Sequence, residues 1–302
     1  MSEQIATLPV AATAKPMTLR RPPKPNFESI LAMTVLSAFA VYCLLPYFWL
    51  IVASTKDSSD LFGTFGLWFA PHFNFFTNLQ QLMSNEQGAF PRWLLNTFLY
   101  AGVGAAVGGA FSAMAGYALA KYNFRGRNLI FSIVLGAILV PSTVLAVPLF
   151  LMFNAVGETN TYWAVLLPSI VGPFGVFLSR IYATAAVPDD ILEAARVDGA
   201  NEFRTFTIAL RMMVPALVTI FLFQFVAIWN NYFLPLIMLS DDRLFPITVG
   251  LSTWNVTASG SNKDFYDLII TGALISTIPL VAGCIVLQRF WRGGLTAGSI
   301  KG

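Results

Sequence analysis

Between Glu193 and Ala200 the chain reads Glu-Ala-Ala-Arg-Val-Asp-Gly-Ala, and here its charge is best organised for chemistry. The residue types suit ion pairing and protein docking rather than bond making. Glu193, Arg196 and Asp198 supply charge, Ala194 and Ala195 favour a helix, and Gly199 suits the left-handed turn that ends one. Catalytic alternatives are poorly furnished. No Asp, Glu, His or Lys falls within the apolar stretches given below, so an embedded enzyme would lack convergent acid–base or nucleophilic groups. His72, the one histidine, has no His or Cys near it in sequence and does not read as a metal ligand. There is no G-x-x-x-x-G-K-[ST] loop, so the chain has no phosphate cradle of its own.

Composition says what must hold these charges. Of 302 residues, 56% are hydrophobic and 11% charged, and the mean hydropathy is +0.68. Soluble domains carry about 25% charged residues, so the chain reads as an all-α integral membrane protein. A helix needs about 20 apolar residues to cross the hydrocarbon core. Six stretches are that long: 30–54, 93–120, 129–153, 162–183, 212–239 and 268–290. Their only basic residues, Arg180 and Arg289, are near enough to a span end to reach the headgroups.

The remaining basic residues set the orientation. Lys15, Arg20, Arg21, Lys24, Lys121, Arg125, Arg127, Arg196, Arg204, Arg211, Arg292 and Lys301 fall on the same side as Arg180 and Arg289. Lys56, Arg92, Arg243 and Lys263 fall on the other. The richer side is the cytoplasmic one, with both termini inside. Segment 184–211 then faces the cytoplasm and offers a handle to a partner there, which points to transport driven from outside the chain. Residues 1–28 are polar and proline-bearing, expected as a flexible tail without a signal-peptide core, ahead of a membrane domain over 29–302. The first span should remain as a signal anchor. Cys43 and Cys284 lie in spans and read as small core hydrophobes.

Several smaller patterns complete the reading. Gly104, Gly108, Ser112 and Gly116 recur at four-residue spacing, which puts small residues on one helix face for close packing. Pro141 and Pro148 interrupt the third span, and Pro168 and Pro173 the fourth. The external segment 55–91 is rich in aromatics and carries a short helix from Asn78 to about Met83; its rings suit an interfacial belt or a docking surface. A second external loop covers 240–267. In 184–211, Pro188 suits a first helical turn, Asp189 and Asp190 complement the helix dipole, and Phe203 and Phe206 give the following helix an apolar face.

Glu193-Ala194-Ala195, three residues, then Gly199 resembles the signature loop of ATP-binding-cassette importer permeases, and the run to Ala200 is similar to their carbohydrate-uptake class. Asn96-Thr97, Lys121-Tyr122 with Phe124-Arg125-Gly126, Asn154 with Gly157 and Thr161, and Trp229-Asn230-Asn231 fit the same family. The tail from Gly293 to Gly302 is similar to the maltose-type second permease subunit. The resemblance covers roughly 28–302, with one departure. Where the family has an Ile-x-Leu-Pro ending, Ala209, Arg211 and Met212 stand by strict spacing; a shift of one recovers Ile208 and Leu210 but leaves Arg211 in place of the proline. Pro215 follows nearby.

The resemblance implies a type I ABC importer permease fold with six transmembrane helices in a bacterial or archaeal cytoplasmic membrane. It implies two copies of an ATP-binding subunit, which carry the ATP and its Mg, a second homologous permease subunit and an extracytoplasmic solute-binding protein. No cofactor is expected on this chain, and no nucleic acid. Glu193, Ala194, Ala195, Arg196, Asp198 and Gly199 would couple to the ATP-binding subunit, whose closure tips the permease pair between inward- and outward-open states. Glu193 could pair with Arg196, with Arg204 or with that subunit. Sugar, as an oligosaccharide, is the implied substrate. Gln224, Trp229, Asn230, Asn231, Tyr232, Asn96 and Tyr100 are its candidate contacts, followed by Thr271, Ser276 and Thr277, although polar groups in bundles also bond helix to helix. A non-sugar solute such as glycerol-phosphate is one alternative. An ion-coupled carrier is another, disfavoured because no ionisable group lies at midplane, unless backbone carbonyls build a sodium site.

Overall fold

The computed structural model describes residues 27–260 and 265–297, and among them every regular element is helical. Two compact units divide the chain, Met1–Tyr47 and Phe48–Gly302. The first contains most of helix α1 (Phe27–Ser54), whose side chains there, Phe39, Val41 and Tyr42 among them, are exposed. The tail expected over 1–28 lies almost wholly outside the described residues.

The second unit is built around α4 (Ala89–Lys121), with 33 residues and a length of about 50 Å. Packed along it are α7 (Tyr162–Ile170), α8 (Pro173–Ala186) and α11 (Val214–Trp229). Small side chains make this possible. Gly104, Gly108, Ser112 and Gly116 are all buried. A Cβ on Gly116 would lie 2.3 Å from Ser179 Cβ, and one on Gly108 would lie 2.0 Å from Gln224 Nε2. Helices without a solvent-driven hydrophobic term between them gain by such close approach.

Prolines set the breaks. Pro173 opens α8 after the non-helical pair Val171–Gly172, and having no N–H it cannot satisfy the Ser169 carbonyl one turn back. Gln224 of α11 does so instead, its Nε2 donating to Ser169 O at 3.0 Å. Pro141 caps α6 (Ser142–Ala155), which meets α5 (Arg127–Ile138) at 102°, so the third span is two short helices rather than one kinked rod. The fifth also differs from a continuous 212–239. Its start is as expected, where α10 (Glu202–Met212) turns through 77° into α11, but it breaks at Asn230–Tyr232 before α12 (Phe233–Met238). Phe27–Ser54, Ala89–Lys121, Tyr162–Ala186 and Phe265–Gln288 are each long and apolar enough to cross a membrane, which makes four candidate spans by length and composition among the described residues, or up to six if each bent pair counts as one.

At the N-terminal end of α4 the chain has more structure than expected. The short helix is α3 (Phe75–Ser84), after α2 (Ser58–Gly63). Loop 240–267 contains α13 (Ile247–Gly260), ahead of α14 (Phe265–Ala297). Trp254 of α13 is 2% exposed, its ring centre is 4.7 Å from that of Trp93, and its Nε1 donates to Glu86 Oε2 at 3.0 Å. Cys43 and Cys284 are exposed on their helices rather than buried in a core.

Candidate functional site

Segment 184–211 folds as two helices joined by a tight turn. The first, α9, spans Asp189–Val197 with Asp189 and Asp190 in its first turn. Pro188 precedes that turn as the N-cap, with ψ 138°, rather than lying inside it. Gly199 adopts φ +81°. Its N–H donates to Arg196 O at 3.0 Å, and the Ala200 N–H reaches Ala195 O at 2.9 Å. This double bond pattern occupies two of the carbonyls a helix end leaves open and requires the left-handed residue that glycine supplies without strain. A Cβ on Gly199 would meet nothing within 4 Å, so conformation, not crowding, selects glycine here. Asn201 then caps α10, its Oδ1 accepting from Arg204 N at 2.9 Å.

Leu192, 2% exposed, is the apolar anchor of α9 and sits in a cluster with Tyr117, Ala183, Val187, Ala209 and Met213. Two polar tethers join the pair to the C-terminal end of α4. Lys121 Nζ donates to Val187 O at 2.6 Å and to Asp189 Oδ1 at 2.7 Å, just before and at the start of α9. Tyr122 donates its hydroxyl proton to Glu202 in the first turn of α10. Glu202 also receives Arg196 Nε at 3.1 Å and Nη2 at 3.3 Å, which closes the two helices on each other. These bonds hold the Glu202 carboxyl below its usual range, the Tyr122 hydroxyl first and the guanidinium second. Burial, with Glu202 adding to it, pushes Tyr122 up to about 12.

The residues expected to couple are therefore grouped on one short helix, but their pairing differs. Arg196 is taken by Glu202, a residue the sequence reading did not single out. Glu193 has no hydrogen bond or ion pair among the described residues and is exposed. Ala194 and Asp198 are also exposed. Beside them Val197 is 88% and Phe203 78% exposed, an apolar pair on the outside of the turn. The exit into α11 lacks the family's proline within α10. Met213, fully buried, makes the corner with its N–H shared between Ala209 O and Leu210 O, and Pro215 takes a first-turn position of α11.

The polar residues proposed for solute contact separate into two groups. Asn96 is 5% exposed and spends its amide on Arg243 O at 2.8 Å and Phe245 O at 3.0 Å. Tyr100 donates to Leu244 O at 2.9 Å, Trp229 is buried at 3%, and Gln224 fills the α7–α8 break. All four bind helix or loop to helix. Thr271 is fully buried, while Ser276 and Thr277 bond back to Ala273 O. The second group lies at the α11–α12 break. Asn231 receives Thr248 Oγ1 on its carbonyl at 2.8 Å, and Tyr232 accepts from Ser252 Oγ at 3.1 Å. Asn230 and Tyr232 are exposed there. Asn160, which the sequence reading passed over, ties this region together by accepting from Ser240 N at 2.9 Å and Asp241 N at 2.8 Å.

Comparison with known proteins follows the same lines. Residues 105–292 match the family described as binding-protein-dependent transport system inner membrane component. The arabinooligosaccharides transport system permease protein AraQ of Halalkalibacterium halodurans is 35% identical over 273 residues, 89% of this chain and 96% of that one. The trehalose/maltose transport system permease protein MalG of Thermococcus litoralis is 30% identical, over 87% of this chain and 93% of its own. In fold, a chain from a bacterial ABC transporter involved in import of the acidic polysaccharide alginate superposes with TM-score 0.74 at 23% identity, covering 87% of this chain and 95% of that chain.

Proposed function

Because this chain belongs to the binding-protein-dependent transport system inner membrane components, a transport part and not an enzyme, we propose that it is one permease subunit of an ATP-driven importer of sugar, in the oligosaccharide class. Six spans carry it through a bacterial or archaeal cytoplasmic membrane with both termini inside, 29–302 forming the permease domain. It pairs with a second, homologous permease and with two copies of an ATP-binding subunit that hold ATP and Mg, and it receives solute from an extracytoplasmic binding protein.

The observation that supports coupling most directly is the double tether. Lys121 and Tyr122 fasten α9 and α10 to the end of α4, and α4 is the helix on which α7, α8 and α11 pack. A displacement of α9 by a docked ATP-binding subunit therefore reaches the helices around the pathway without passing through a flexible loop. On this reading Glu193, Ala194, Asp198, Val197 and Phe203 present the docking face, while Arg196 and Gly199 keep the turn in shape. Asn230 and Tyr232 are the solute-facing members of the polar set, and Gln224, Asn96, Tyr100 and Trp229 hold the walls.

The test is uptake into vesicles with the cognate subunits. Gly199→Pro and Glu193→Lys should each abolish ATP-dependent uptake while the complex still assembles. Unchanged uptake in both removes this helix from the mechanism, and uptake driven by an ion gradient without the ATP-binding subunit refutes the class.

A further inference from the structure

Among the described residues, a group of arginines near the C-terminal end of α4 has no carboxylate partner. Arg180 of α8 places its guanidinium carbon 3.6 Å from the centre of the Phe131 ring on α5. Arg127 lies one turn before Phe131 on the same face of α5, so the ring brings two cationic side chains to one place. Arg127 Nη1 reaches only neutral acceptors, Asn123 Oδ1 at 2.9 Å and Tyr122 O at 3.3 Å. Among the described residues no carboxylate pairs with Arg125, Arg127 or Arg180, since Asp189 and Glu202 are taken by Lys121 and Arg196. A shallow cleft of about 510 Å³ opens at Arg125 and Arg127, lined by Asn123 to Leu129.

Like charges held together attract an anion that relieves their repulsion, and guanidinium forks match phosphate geometry. The surroundings narrow the choice of anion. Along α5, directly beyond the arginines, Leu129 is 66% and Ile133 63% exposed. A free phosphate has no use for that surface, whereas a lipid carries its phosphate and acyl chains at this spacing. We propose that Arg127 and Arg180, with Arg125 at the mouth, bind the headgroup phosphate of an anionic phospholipid whose chains lie along the exposed side of α5.

The full chain, purified in detergent, is titrated with phosphatidylglycerol or phosphatidylcholine, and retained lipid is counted by native mass spectrometry. Phosphatidylglycerol should be retained in preference, and Arg127→Gln/Arg180→Gln should weaken its binding about thirtyfold, as two surface arginines warrant. Arg92→Gln, at the other end of α4, should bind as the wild type does. Should Arg180→Gln fail to insert, Arg125→Gln/Arg127→Gln, which leaves α8 untouched, must weaken binding in the same direction. Equal retention of the two lipids, binding unchanged in the arginine variants, or displacement of the lipid by equimolar inorganic phosphate overturns the proposal.

Discussion

Glu202 shows how much one exposed side chain can organise. It joins a tyrosine at the end of α4 to an arginine at the end of α9, so three elements share one carboxylate. Its lowered value means the contribution is present above the ordinary 4.5 and is lost as pH falls through the folded value. Tyr122 closes the window from the other side. Its proton is favoured in the folded state, so its contribution is whole below the ordinary 10.0 and lost on the way to about 12. Neutral pH lies well inside both limits. We expect Glu202→Gln to reduce ATP-dependent uptake by about twofold to fivefold, the range of an exposed charge pair, and to remove the acid limb of the wild-type profile. Uptake measured from pH 4 to 8 in both proteins checks this; an acid limb that survives the substitution assigns it elsewhere.

At the scale of elements, α4 and its close-packing face were legible in advance, because four-residue spacing of small side chains is a local signal; which helices fill that face was not. The partners' breaks were half legible. Pro173 announces a lost hydrogen bond, but nothing local to Gln224 says that it will supply the replacement 55 residues away along the chain. Helix α13 was not legible at all. Its Ile247-Thr248-Val249 start and several later Thr and Val residues have poor helix propensity, and its stability comes from Trp254 packing on Trp93, a contact of distant sequence. Glu202 escaped for a similar reason: its role depends on Tyr122, which only folding brings near. Gln224→Leu should leave the Ser169 carbonyl unpaired and cost roughly 1 kcal/mol. Gly116→Val should cost more, about 1–3 kcal/mol, since Arg180 N would lie 2.7 Å from the new Cβ and backbone cannot step aside. Thermal midpoints of the purified variants order the two; a Gly116→Val protein as stable as wild type contradicts this packing.

For the whole molecule, the orientation proposed from basic residues puts α9 and α13 on opposite sides of the membrane. Cysteine labelling decides it. In a Cys43→Ala/Cys284→Ala background, with the ATP-binding subunit left out so that the α9 face is uncovered, Val197→Cys should react with a membrane-impermeant maleimide only in inside-out vesicles, and Asn255→Cys only in right-side-out ones, both positions being exposed. The reverse pattern inverts the topology.

The corner at Met213 has a mechanical meaning. Helices of 11 and 16 residues meet there at 77°, with arms of about 16 and 24 Å. The buried methionine sits at the bearing between them. If the two arms turn together, the assembly works as a bell crank: a push along the α10 arm becomes a sideways sweep of the other, enlarged about 1.5-fold by the arm ratio. The tip of that longer arm is Trp229, next to the break that exposes Asn230 and Tyr232, so a stroke of a few ångströms at Glu202 would be delivered, amplified and redirected, to the polar end of the bundle.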